Sequence, residues 1–171
     1  MKQTILTILS LPLFIFLCPC SNQSEKQENL ASLLPESIGK WQQVKLVTGT
    51  EALDQINSLH GKNIVVEAGA IGTYQKTGKR PAMIWISRSK TSDLTRKQSE
   101  VMADKMVSNP RSPFYAPEIF ICNGVNVYRF LGMGQVHYIF CQEELGYWIS
   151  APPEDGEKLL LYFVKNKEQR P

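Results

Sequence analysis

Histidine occurs only twice in this chain and cysteine four times, and no stretch gathers them into a metal-binding cluster. No H-E-x-x-H, Walker loop, G-x-S-x-G or C-x-x-C is present. The signatures of zinc peptidases, phosphate-cradling loops, α/β-hydrolases and thioredoxin-like redox centres are therefore missing. Basic residues never run longer than two, and the formal charge is only +3. That excludes a nucleic-acid channel and a polybasic membrane patch. The longest apolar run is too short to span a bilayer as a helix, which needs about 20 residues.

What is present is an ordinary globular composition, 43% hydrophobic and 20% charged over 171 residues, enough for one domain with a proper core. A chain of this size buries about two thirds of its unfolded surface without staples, so its cysteines need not be structural.

The N-terminus carries an address. Lys2 precedes an apolar segment, Ile5 to Leu17, interrupted only by Thr7, Ser10 and Pro12. This is the pattern of a secretory signal peptide. It ends in Leu17-Cys18-Pro19-Cys20, which resembles the lipobox of bacterial lipoproteins, where an aliphatic residue and two smaller ones precede the lipid-bearing cysteine. The match holds at Leu17 and Cys20 and departs at Pro19, where Gly, Ala or Ser is usual. Cys18 fits less well, because Phe16 and Leu17 are bulky for the two positions before it. The resemblance implies that Cys20 is lipidated and heads the mature chain. It also implies export, with the lipid as the membrane partner on the periplasmic side or the cell surface.

Ser21 to Asn29 contains nothing apolar and reads as a leash. The expected organisation is a signal over 1–19, a tether over 20–34, one domain over 35–166 and a tail over 167–171. A metal reading of Cys18-x-Cys20 fails on spacing, and no cofactor is implied.

Within the domain, Trp41 to Val47 alternates as a strand, and Thr50 to His60 reads as a short amphipathic helix stopped by Gly61. Asn63 to Gln75 and Pro81 to Arg88 read as a hairpin around Thr77-Gly78, with Ala70 opposite Trp85 and Gly72 opposite Met83. Gly69-Ala-Ile-Gly72 reads as a close-packed strand and not a dinucleotide fingerprint. A second helix is expected over Ser92 to Val107, burying Leu94, Val101, Met102 and Met106, with Thr95-x-x-Gln98 as a capping box. Met102-x-x-x-Met106 fits a core stripe better than a soft-metal site. Four short runs follow, Glu118 to Cys122, Val125 to Leu131, Gln135 to Cys141 and Gly146 to Ser150, and predict an antiparallel meander. Leu159 to Val164 leans to helix. The sum is an α+β domain, a largely antiparallel sheet of about six to seven strands with two to three helices. The Gly39-Lys40-Trp41 opening, Gly61 and Tyr74 loosely resemble small uncharacterised secreted bacterial domains, a likeness that implies no activity.

The meander register predicts a possible site. A two-residue turn at Asn123-Gly124 sets Glu118 opposite Arg129. A three-residue loop at Gly132-Met133-Gly134 then sets Arg129 opposite His137. The polar row Glu118, Arg129, His137 could bind an anion or tune an acid or base; as a structural feature it is a cross-strand salt bridge beside an edge histidine. The opposite face, including Ile119, Ile121, Phe130 and Tyr138, reads as core. The same register separates Cys122 and Cys141 by two strands, roughly 9.5 Å, beyond disulfide reach. It puts His137 roughly 13 Å along the strand from Cys141, too far for a catalytic dyad.

The reading that follows is a lipid-anchored extracytoplasmic binding or protein-interaction module of the bacterial envelope, with an envelope protein as its partner and no nucleic acid. One alternative is a small envelope hydrolase or thiol enzyme using His137 or His60 with Cys141 or Glu118. Another is a structural lipoprotein docking a membrane complex through aromatics such as Phe114, Tyr115, Tyr147 and Trp148.

Overall fold

The computed structural model describes residues 30–59 and 65–164. The signal, Cys20, His60, Gly61 and the tail lie outside them. The described residues form an α+β domain: one antiparallel sheet of eight strands with three complete helices. In chain order these are β1 (Ser37–Ile38), β2 (Trp41–Thr48), α1 (Gly49–Leu59), β3 (Ala68–Gln75), β4 (Ala82–Arg88), α2 (Ser92–Ser108), β5 (Phe114–Cys122), β6 (Val125–Gly132), β7 (Gln135–Gln142), β8 (Leu145–Ala151) and α3 (Pro153–Phe163). The strand beyond the expected seven is β1, a two-residue pairing of Ser37 and Ile38 with Gln42 and Trp41.

The sheet order is β1-β2-β3-β4-β8-β7-β6-β5. A hairpin half and a meander half thus meet where β4 pairs β8, and helices pack on both faces of the sheet. On one face α3 packs Leu159, Leu160 and Phe163 against Tyr138, Phe140, Tyr147 and Ile149. On the other, α1 covers β3 through Ala52 and Ile56, and α2 covers the meander through Ala103 and Met106. Gly69 permits the α1 approach, because a Cβ there would lie 2.5 Å from Ile56 Cδ1. Central strands buried on both faces lose the polar alternation of a one-sided sheet.

The domain starts earlier than the sequence suggests. Leu30 and Leu34, placed in the tether, are buried in the α3-side core. Tyr74 secures this segment: its hydroxyl donates to Pro35 O at 2.9 Å and accepts from Gln43 Nε2 at 3.3 Å.

Two hairpin registers differ from expectation by one residue. Lys79 N does bond Lys76 O, but Pro81 has no N–H to continue the ladder, and pairing resumes only at Tyr74 with Ala82. Ala70 therefore faces Ile86 and Gly72 faces Ile84. At the other hairpin the turn is Met133-Gly134 alone, both at positive φ, while Gly132 is a strand residue opposite Gln135. Gly132 is small because Phe114 and Pro113 O press on it, each 2.8 Å from where a Cβ would stand. A one-residue slip turns every side chain beyond it to the other face.

Helix α2 begins one residue after Thr91, whose side chain accepts from Leu94 N at 3.2 Å. Thr91 is the cap, and Thr95 is buried inside the first turns. The buried stripe is Thr95, Ser99, Ala103 and Met106, whereas Val101 is exposed. Helix α3 takes the segment that length alone left open, beginning at Pro153.

Candidate functional site

The corrected register breaks the predicted polar row. Glu118 and Arg129 do face each other, and Arg129 Nη1 donates to Glu118 Oε2 at 2.9 Å across β5 and β6. Arg129, however, pairs with Tyr138, and His137 with Phe130. His137 stands on the opposite face, beneath α2. The Glu118–Arg129 pair remains as a partly exposed cross-strand salt bridge.

His137 is 1% exposed, and its partners fix its state. Nε2 lies 3.1 Å from Gly132 O, which can only accept, so Nε2 carries the hydrogen. Nδ1 then accepts from the Ser150 hydroxyl at 2.9 Å and from Trp148 Nε1–H at 3.3 Å. Phe114 closes edge-on against the ring at 4.9 Å between centroids. Burial holds the imidazole below its ordinary pKa, opposed by the hydrogen bond to Gly132. A hydroxyl donating to an imidazole is the first contact of a nucleophile and its base. Here the same lone pair also takes the indole N–H, and Phe114 and Trp148 pack against the ring. The arrangement binds three strands together and offers a substrate no approach.

The cysteines fare similarly. Cys122 lies on the α3 face, Cys141 on the α2 face, and both are free. Burial raises both thiols above their usual pKa, so neither is poised as a thiolate nucleophile. Met102 and Met106 pack into the α2 core. No group of three or more potential metal ligands occurs among the described residues. None of their helices is long and apolar enough to cross a membrane. The expected aromatic patch is divided: Tyr147 is core on the α3 face, Phe114 packs on His137 and Trp148, and Tyr115 alone is well exposed.

Between α1 and α2 the sheet surfaces as a cleft floored by Trp85 and Trp148, whose rings stack at 6.3 Å, with Ser87, Thr95 and Ser99 on its wall. Its volume of about 40 Å³ accommodates a water or two. Small-molecule pockets are roughly ten times larger.

The feature that stands out is the edge strand β5. Ile119 and Ile121, expected in the core, are 67% and 73% exposed, because α2 packs its buried residues Ala103 and Met106 on Phe130 and Ile139 and leaves these two side chains uncovered. Beside them a groove runs between β5 and α2, with an apolar lining of Ala103, Val107, Ile119, Tyr128 and Phe130 and an acidic rim of Glu100, Asp104 and Glu118. Before this stretch β5 is bulged: Tyr115 pairs Leu131 and Glu118 pairs Arg129, with Ala116 at φ 50°. Pro117, which strands tolerate at edges and bulges, is the sequence signal that marks β5 as an edge.

No family model matches the chain, and no curated protein matches it. Among solved structures, the chain is similar in shape to a GTP binding regulator from Thermotoga maritima. The identity is 8% over 84% of this chain and 87% of that one, with a TM-score of 0.49.

Proposed function

We propose that this chain is a lipid-anchored interaction module of the bacterial envelope, tethered through Cys20 and working by binding a protein and not by catalysis. The observation that carries the binding part is the β5 edge, where Ile119 and Ile121 stand in solvent beside an apolar groove. A soluble domain gains nothing from such a surface unless something covers it, and edge strands are ready templates for pairing. The anchoring part rests on the signal and the Leu17-Cys18-Pro19-Cys20 box. The sealed surroundings of His137 and the raised thiols of Cys122 and Cys141 favour binding over the hydrolase and thiol-enzyme alternatives.

Two measurements test this. Intact-mass analysis of the membrane fraction should find lipid on Cys20, and Cys20→Ser should release the chain; an unmodified Cys20 in a soluble chain sinks the anchor. Affinity purification of the anchored form should retain a protein partner, or a second copy, that Ile121→Lys loses. Retention unaffected by that substitution would remove β5 as the binding surface.

A further inference from the structure

The free edge of β5 has a pattern fixed by its turn. Asn123 and Gly124 have φ of 48° and 76°, the type I′ geometry whose flanking residues, Cys122 and Val125, form a hydrogen-bonded pair. Alternation gives the next ladder bonds to Phe120 with Val127 and Glu118 with Arg129. The N–H and C=O of Ile119 and Ile121 therefore point outward, to an edge with no strand beyond it among the described residues. The two residues that offer backbone bonds also offer exposed side chains.

We propose that this edge pairs antiparallel with the β5 edge of a second copy of the chain, Phe120 facing the partner's Phe120 across a two-fold axis. The proposal rests on the interaction-module reading and names its partner. The usable edge is short and self-complementary. It is closed on one side by the Ala116 bulge and by Pro117, which has no N–H, and on the other by the Asn123-Gly124 turn. What lies between, Glu118 to Cys122, has Ile119 and Ile121 placed symmetrically about Phe120. An isologous contact requires such self-complementarity.

The register follows by elimination. Outward groups must meet outward groups, so the axis falls at Ile119, Phe120 or Ile121. Centred on Ile119, the strand would set Ile121 against the partner's Pro117, which cannot donate. Centred on Ile121, it would set Ile119 against the partner's Asn123, inside the turn. Centred on Phe120, it lets Ile119 and the partner's Ile121 exchange both ladder bonds, and symmetry repeats the exchange. All four isoleucines then gather on the α2 side, next to the groove of each copy. On the other side Glu118 faces the partner's Cys122. The opposite end of the sheet is less suited, because β2 carries a bulge at Val44 and a lysine at position 45, both devices that discourage edge pairing.

The pairing can be trapped. Glu118→Cys places a thiol opposite the partner's Cys122 at a non-hydrogen-bonded position, where side chains approach most closely. In the full-length chain purified in detergent, mild oxidation should give a covalent dimer on a non-reducing gel. Glu118→Cys with Cys122→Ser should not, although the Cys141 thiol is unchanged. Light scattering over a concentration series should show twice the monomer mass, with Ile121→Lys raising the concentration needed by about tenfold or more. Ile121 is so exposed that this substitution spares the fold. A dimer indifferent to Ile121→Lys, or one without the Cys122-dependent cross-link, overturns the pairing. A monomer that still captures another envelope protein through β5 overturns the dimer and upholds the interaction module. A monomer with no β5-dependent partner overturns both.

Discussion

Ser150 donates its hydroxyl hydrogen to His137 Nδ1 at 2.9 Å across the β7–β8 pair, and this bond holds only while the imidazole is neutral. Burial has lowered the histidine pKa from 6.5, so the unfolded chain takes up the proton first. Stability is complete above pH about 6.5 and declines as the pH falls toward the folded value, by at most about 1.4 kcal/mol per pH unit from this group. Urea midpoints measured from pH 7.5 to 5 should fall accordingly, and His137→Gln should flatten that slope. An equal slope in the variant would assign the acid sensitivity elsewhere.

Tyr74 behaves in the opposite direction. Burial pushes its pKa up to about 12 from 10, the hydrogen bond from Gln43 opposing. Its contribution is whole below pH 10 and is lost as the pH rises toward 12. Tyr74→Phe should cost about 1–2 kcal/mol at neutral pH by stranding Pro35 O. It should also remove part of the alkaline slope, Tyr128 and Tyr138 supplying more because burial raises them too. Tyrosinate absorbance read alongside unfolding checks both effects.

Gly156 lies in the first turn of α3, where a Cβ would stand 2.3 Å from Val136 Cγ1 and 3.1 Å from Tyr138 Cε2. Alanine at this position should gain about 1 kcal/mol of helix propensity and lose more to overpacking, which costs about 1–3 kcal/mol. A net loss is expected, and pairing Gly156→Ala with Val136→Ala should recover part of it. Strict additivity in that double-mutant cycle would mean that the helix does not rest on Val136.

Lys76 places Nζ 2.8 and 2.7 Å from the two carboxylate oxygens of Asp155. The Asp155 side chain is 7% exposed and that of Lys76 25%. Lys76→Ala leaves a buried carboxylate unpaired and should cost about 2–3 kcal/mol, below the full figure for a wholly buried pair because water reaches the lysine. Lys79→Ala, which breaks an exposed pair with Glu154, should leave the unfolding midpoint in place. Equal losses from the two variants would contradict the difference in burial.

Much of this architecture is legible in the sequence where the signal is local. Asn123-Gly124 specifies its turn, and the Glu118–Arg129 pairing follows directly from it. Leu159 to Phe163 is helical, with Val164 as the cap, and Gly69 marks a close approach. What eludes a sequence reading is a glycine or proline that serves packing instead of a turn. Gly132 makes room for Phe114, and Pro81 interrupts a ladder it was expected to join. Each shifts a register by one, and the shift at Gly132 is the one that carries His137 from a polar row into the core beside Ser150 and Trp148. Coverage is illegible too, since nothing in Ile119 or Ile121 announces that α2 packs on Phe130 and Ile139 and leaves them bare.

The place of β8 in the sheet has a consequence for biosynthesis. β8 is made last among the strands yet lies at the centre, between β4 and β7. As the chain emerges, β4 must keep an open edge, with Ile84 and Ile86 awaiting Ile149 and Tyr147, until the whole meander has followed. The middle of this sheet is the last part to close, and a chain interrupted between residues 88 and 145 would keep β4 paired to β3 on one side and present its other edge bare to whatever lies nearby.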